Sequence, residues 1–250
     1  NQWAAISPFL EKSYAMSVTG CFAWIPTLTC ISRQAIFAGC QPALFPASIN
    51  TTNKEETLWY NAWEEAGINK TDVIFGKYSG EENPEDVLDA IGSKTKVCGI
   101  IVKKVDDFMG SKTMDFAAMQ TLILQWMKGE FLTRLISGLL ARGFTITLTS
   151  DHGNIQCIGN GPLQEGVLSE TKGQRIRIYP DQLLAANAVK KYPGSCIVSP
   201  TGLPPGMFPV TLPYKLAFAT KGDKIVSHGG SSLEEVIVPL VTITEKKGKA

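Results

Sequence analysis

The sequence lacks most signatures of a specialised binding protein. None of its six cysteines forms a Cys-x-x-Cys pair or any other zinc-finger spacing, which excludes a cysteine-built metal framework. Cys21, Cys98 and Cys196 sit inside apolar runs, as reduced core residues of a cytosolic protein do. Basic and acidic residues nearly cancel, 24 against 23, so bulk charge directs the chain neither to nucleic acid nor to an anionic membrane. The lysine-rich ending, 245–250, reads as a solvated basic tail. No stretch reads as a signal peptide, and every apolar run meets a charge or a breaker well short of a membrane span. Internal repeats and low-complexity tracts are absent. Charged residues, at 19%, are too few for a disordered chain, and 44% hydrophobic content supports a substantial core. Histidine is scarcest of all the informative types: the 250 residues hold two, His152 and His228.

What is present is an alternation of strands and helices. Trp3, Ile6, Phe9 and Leu10 predict a helix over 1–12, followed by a strand from Tyr14 to Ile25. Pro26-Thr27-Leu28-Thr29 turns into a helix running to Gly39, and a Pro-rich loop occupies 41–53. Lys54 to Ala66 is helical, with Trp59 and Trp63 on one core or interface face and Gly67 as C-cap. Strands are expected over 72–78 and 97–105, with a helix begun by Asn83-Pro84 between them. A long helical stretch over 115–142, interrupted near Gly129, precedes a strand from Phe144 to Thr149. Further strands fall at 174–179, 195–198, 214–219, 224–227 and 236–243, with a helix over 181–191 and a Pro/Gly-rich loop over 200–213. This pattern predicts one α/β domain over 1–250, its mostly parallel sheet covered by helices on both faces. The closely spaced later strands imply an antiparallel edge or subdomain.

Four positions share one description: polar residues immediately after an apolar strand. They are Thr27/Thr29, Asp106/Asp107, Asp151/His152 and His228. In an open α/β sheet such strand ends converge on one crevice. Carboxylate oxygen, imidazole nitrogen and hydroxyl are ligand types for zinc or manganese, and a metal pair about 4 Å apart clamps an in-line displacement at phosphorus. Plainer roles compete at each place. Thr29 can be a helix N-cap, the Asp106-Asp107 pair a solvated turn, and Asp151-His152-Gly153 an ordinary turn with an exposed imidazole. Arg33 suits either a phosphate or the surface, whereas Glu234 and Glu235 read as helix-start or surface residues. Lys172, Arg175 and Arg177 are expected beside the site, favouring an anionic substrate.

The order of motifs resembles the alkaline phosphatase superfamily, most closely its PglZ-domain branch. The matching pieces are Ile25-Pro-Thr-Leu-Thr29-Cys-Ile-Ser-Arg33 with Phe37-Ala-Gly39-Cys-Gln-Pro42, then Val105-Asp-Asp-Phe-Met109, Thr149-Ser-Asp-His-Gly153 and Val226-Ser-His-Gly-Gly-Ser-Ser-Leu-Glu-Glu-Val-Ile-Val-Pro239. The resemblance implies an α/β/α sandwich of alkaline-phosphatase type that cleaves phosphoesters or phosphodiesters with two divalent metals, zinc or manganese. Carried over by position, Thr29 is the nucleophile at a helix N-terminus, and Arg33 contacts substrate phosphate. Asp151 and His152 are ligands of the first metal; Asp106 and His228 are ligands of the second. The resemblance also implies a cytoplasmic bacterial protein of a phage-defence (BREX-type) system, with other defence proteins as partners and a phosphate-ester or nucleic-acid-derived substrate.

Two departures temper it. The family's first strand, ending in an Asp-Gly that supplies a first-site ligand, has no counterpart here, and four residues after Asp106 stands Gly110 in place of a histidine. The chain is therefore expected to be a fragment with little bound metal and no turnover, and to dimerise through an exposed sheet edge. A catalytically eroded scaffold that binds protein partners is the alternative function, and a mutase or sulfatase of the same superfamily also stays open.

Overall fold

The computed structural model describes residues 2–109, 116–162, 173–199 and 201–246. The chain opens in α1 (Gln2–Ser13), which buries Ala5, Ile6 and Leu10 at helical spacing, and passes directly into β1 (Tyr14–Phe22). The order continues with α2 (Thr29–Ala38), α3 (Glu55–Glu65), β2 (Val73–Tyr78), α4 (Pro84–Asp89), β3 (Val97–Val102) and the one-turn α5 (Lys104–Asp107). Then come α6 (Phe116–Lys128), α7 (Phe131–Ala141), β4 (Ile146–Thr149), β5 (Ile155–Gly159), β6 (Ile176–Tyr179) and α8 (Gln182–Lys191). The last part holds β7 (Cys196–Ile197), β8 (Phe208–Thr211), β9 (Leu216–Ala217), β10 (Lys224–Ser227), α9 (Leu233–Val236) and β11 (Ile237–Glu245).

The α/β class stands, but strand directions are mixed where alternation implied mostly parallel pairing. Only β2–β3 and β5–β9 are parallel among the described ladders. β11 lies between β1 and β4 and runs antiparallel to both. The reason is where β11 starts. Ile237 pairs with Phe22, the last residue of β1, so the closing strand enters at the C-terminal end of β1 and must run back down. β1 and β4 thus point the same way, and their C-terminal ends lie on one side of the molecule.

The core forms on both sides of these strands. Leu10 of α1, Met119 and Ile123 of α6, and Val241 and Ile243 of β11 make one cluster. Leu28, Ile31 and Ala35 around α2 join Ile176 and Ile178 of β6 in another, and Val87 and Leu88 of α4 pack with Leu135 and Leu139 of α7 in a third. Burying each large aliphatic side chain stabilises the fold by roughly 1.5–3 kcal/mol.

The structure corrects several expectations. The loop expected over 200–213 contains β8, the middle strand of the ladder β6-β8-β7. Pro209 sits inside it, and its carbonyl, which any proline retains, accepts the Val198 N–H at 2.8 Å. β5 is a strand that the pattern did not predict, buried through Ile155 and Cys157. Cys196 is exposed rather than in the core, while Cys30 and Cys157 are buried. Burial pushes the Cys157 thiol up to about 11, so it stays protonated and inert. The interruption near Gly129 is confirmed, with Glu130 in the left-handed region between α6 and α7. Gly110, Lys172 and the end of the basic tail (247–250) lie outside the described residues.

Candidate active site at the ends of β4 and β10

β4 ends at Thr149, and Ser150-Asp151-His152-Gly153 turns the chain back towards β5. The turn is tied down by its own backbone. Gly153 N–H donates to the Glu235 carbonyl at 2.7 Å, and His152 N–H donates to Asp151 Oδ1 at 3.0 Å. A Cβ at Gly153 would overlap the Glu234 main-chain carbonyl oxygen, so glycine is required for this close approach.

The imidazole of His152 is buried and fixed at both nitrogens. Nδ1 lies 2.9 Å from the Gly153 carbonyl oxygen. A carbonyl only accepts, so Nδ1 carries a proton, and in the neutral ring the Nε2 lone pair faces Thr29 and Asp151. That Nε2 is 3.1 Å from Thr29 Oγ1 and 3.6 Å from Asp151 Oδ2. His228, after β10, follows the same rule: its Nδ1 donates to the Thr27 carbonyl at 2.8 Å. The two rings stack, with centroids 4.0 Å apart and planes within 20°. Both histidines of the chain therefore stand at one place, each with Nδ1 held by a main-chain carbonyl.

Thr29 opens α2, but it is not the helix cap. Leu28 is the N-cap, with no side-chain hydrogen bond, and the Thr29 hydroxyl turns to His152 instead. One turn further, Arg33 also faces inward. Its Nε donates to Glu55 Oε1 at 2.7 Å, and its Nη1 lies 3.9 Å from Asp106 Oδ2. Glu55, at the start of α3, is fully buried and also binds Lys77 Nζ at 2.6 Å. Burial works to lower the Arg33 pKa, but the hydrogen bond and charge of Glu55, helped by Asp151 and Asp106, leave it raised. The guanidinium is a fixed cation at the edge of the site.

Asp106 is thus placed in a one-turn helix beside Arg33, not in a loop after β3. Among the described residues, no group of three or more His, Cys, Asp or Glu side chains comes together in a way that could hold an ion. The donors around His152 fit a single divalent ion nonetheless. Two ligands of one tetrahedral zinc lie roughly 3.3 Å apart, given bonds of about 2.0–2.1 Å. The His152–Thr29 and His152–Asp151 separations of 3.1 and 3.6 Å bracket that spacing. Asp151 Oδ2 and the neutral His152 ring would offer a cation an oxygen and a nitrogen donor side by side.

Two expected substrate cations serve the scaffold. Arg175 is buried and ion-paired with Glu235, Nε to Oε1 at 2.9 Å, and its Nη1 donates to the Leu216 carbonyl at 2.7 Å. Arg177 is buried over the Phe218 ring and donates to the Ile176 carbonyl at 2.8 Å. Glu235, expected at the surface, is instead fully buried and completes the capping box of α9 with Ser232. Sequence reasoning missed Glu55 and the Arg175–Glu235 pair, because nothing in a single sequence marks which acidic residue is buried.

The family description "BREX system PglZ alkaline phosphatase-like domain" matches residues 1–243. The chain belongs to the PglZ family. No curated protein matches its sequence. Among solved structures, this PglZ chain is similar to murine ectonucleotide pyrophosphatase/phosphodiesterase 5 in an inactive form bound to AMP, with TM-score 0.65 and 11% identity over 97% of this chain and 84% of that one. It is similar to a second structure of the same murine enzyme, with TM-score 0.64 and 12% identity over the same shares. At such identity the likeness speaks for the fold alone: the PglZ chain has the alkaline-phosphatase-like fold, in a BREX-system family of that phosphoesterase superfamily. No helix among its described residues is long and apolar enough to cross a membrane.

Proposed function

We propose that this PglZ domain is a divalent-metal-dependent phosphoester or phosphodiester hydrolase, in place of the inert fragment expected above, because Asp151, His152 and Thr29 meet within this chain. The observation that carries the reading is the meeting of Thr29 Oγ1 with His152 Nε2 at 3.1 Å, beside Asp151. Asp151, His152 and Thr29 would hold a zinc or manganese ion, which supplies charge neutralisation at phosphorus and a more acidic threonine hydroxyl. Thr29 Oγ1 is the nucleophile. It stands at the first turn of α2, where unsatisfied backbone N–H groups and the helix dipole favour phosphate oxygens. Arg33, held by Glu55, orients the phosphate from the next turn of that helix. His228, stacked on the His152 ring, serves as a further metal ligand, and Asp106 steadies the outer nitrogen of Arg33. The murine neighbour holds AMP, which makes a nucleotide phosphoester a reasonable first substrate to assay. We place the protein in the bacterial cytoplasm, beside the other proteins of its defence system.

The test is hydrolysis of an activated phosphodiester in the presence of zinc or manganese, comparing wild type with Thr29→Ala. Loss of turnover in a folded variant supports the reading, and full activity without the hydroxyl contradicts it. A second reading, a scaffold module whose metal site has eroded, is favoured by one observation: Asp106 lies beside Arg33 and, among the described residues, not within a three-donor group. It predicts no turnover from wild type at all, with partner binding indifferent to Thr29→Ala.

A further inference from the structure

We propose that Thr27 is a positioning residue that fixes the His228 imidazole, and that it does so by fastening the whole His228-Gly229-Gly230 turn to the segment leading into α2. Thr27 is completely buried. Its Oγ1 donates to the Gly230 carbonyl at 2.8 Å and accepts the Gly229 N–H at 2.9 Å. Its own carbonyl accepts the His228 Nδ1–H at 2.8 Å. One residue thus binds three consecutive residues about 200 positions away, two places before the hydroxyl assigned as nucleophile.

The turn has little freedom to answer in another way. Gly229 has φ 112°, a region that L side chains rarely adopt, and a Cβ there would press on Ile176 Cγ2 at 2.8 Å. On the far side, Gly230 N–H donates to Glu235 Oε1 at 2.7 Å, and that carboxylate is itself held by Arg175. The turn is therefore clamped between a buried hydroxyl and a buried ion pair. The clamp decides the chemistry of the ring: with Nδ1 committed to a carbonyl, the neutral imidazole carries its proton on Nδ1. His152 makes the same Nδ1-to-carbonyl bond, and the two rings stack with centroids 4.0 Å apart. The part of this inference that concerns metal affinity rests on the function proposed above; the part that concerns the tautomer does not.

The experiment uses nitrogen-15 histidine labelling and NMR on the metal-free protein, with zinc affinity measured in parallel by chelator competition. The chain has two histidines, so every ring signal belongs to the site. Wild type is expected to show His228 protonated at Nδ1 and bare at Nε2. Thr27→Val keeps the shape but removes both side-chain hydrogen bonds, so it should lose the single fixed tautomer and weaken zinc by about 10–100-fold, the usual effect of losing an outer-shell partner. Thr27→Ser, which restores the hydroxyl, should restore both readouts. A wild-type ring protonated at Nε2 overturns the proposal even if Thr27→Val does not fold. So does a folded Thr27→Val with the wild-type tautomer and wild-type zinc affinity. A wild type that binds no zinc but shows a fixed tautomer, lost in Thr27→Val and kept in Thr27→Ser, upholds the role of Thr27 and removes the metal reading instead.

Discussion

The Thr29 hydroxyl and the His152 imidazole meet at 3.1 Å although 123 positions separate them in the chain. The contact exists because α2 begins where β4 ends, with the His152 ring oriented by the bond from its Nδ1 to the Gly153 carbonyl. It leaves Thr29 without the capping role that its place at a helix start otherwise suggests.

Removing that hydroxyl should separate chemistry from folding. Thr29→Ala is expected to lower phosphodiester turnover by at least ~10³-fold, in line with the loss of a nucleophile. Stability should change by under about 1 kcal/mol, because no cap and no backbone hydrogen bond is lost. Thr29→Ser should retain measurable turnover. Steady-state assay and denaturant unfolding on the same preparations give both numbers.

Glu55 is expected to matter for stability and for substrate binding together. Glu55→Gln leaves Arg33 and Lys77 facing a neutral amide in a buried position, where breaking an ion pair typically costs about 3–5 kcal/mol. Arg33→Lys is the milder test. It keeps the charge but loses the fork, so KM should rise roughly tenfold while kcat changes less.

Gly153→Ala should fail for a steric reason. The added methyl meets the Glu234 main-chain carbonyl, which cannot rotate away as a side chain would. Strain of this kind costs about 1–3 kcal/mol. Because the displaced residue is next to His152, metal affinity should fall with stability, read by thermal unfolding with and without zinc.

Glu82 supplies a pH signature away from the site. Partial burial would raise its pKa, but backbone N–H groups of Ser79 and Gly80, at 2.7 and 2.8 Å, hold it at about 2 against an ordinary value of 4.5. A depressed carboxyl stabilises the fold above its unfolded pKa, and the benefit disappears as pH falls from 4.5 towards 2. Glu82→Gln should therefore cost about 1 kcal/mol near neutral pH, trimmed by solvent access, and nothing near pH 2. Urea unfolding of both proteins across that range checks the convergence.

The sequence exposed those parts of the design that depend on rare residues and strong periodicity. Two histidines placed after strand-like runs, a Pro-Thr-x-Thr helix start and the Trp59–Trp63 spacing were readable because few other structures call for them. Strand direction was not, since β11 reads as the same apolar pattern whichever way it runs. β8 was hidden by Pro209, whose missing N–H argues against a central strand until its carbonyl is seen accepting from Val198. Glu55, Glu235 and Arg175 look like any surface charges in one dimension. Only the fold shows that they are buried and paired.

The central claim is that Asp151, His152 and Thr29 form a binding site for one divalent ion. Calorimetric titration of zinc into the wild-type chain and into Asp151→Asn tests it most directly. The account predicts one ion per wild-type chain and an affinity at least about tenfold weaker in Asp151→Asn, since a ligand charge is removed. A wild-type chain that takes up no zinc, or an Asp151→Asn variant that binds it equally well, would contradict the account.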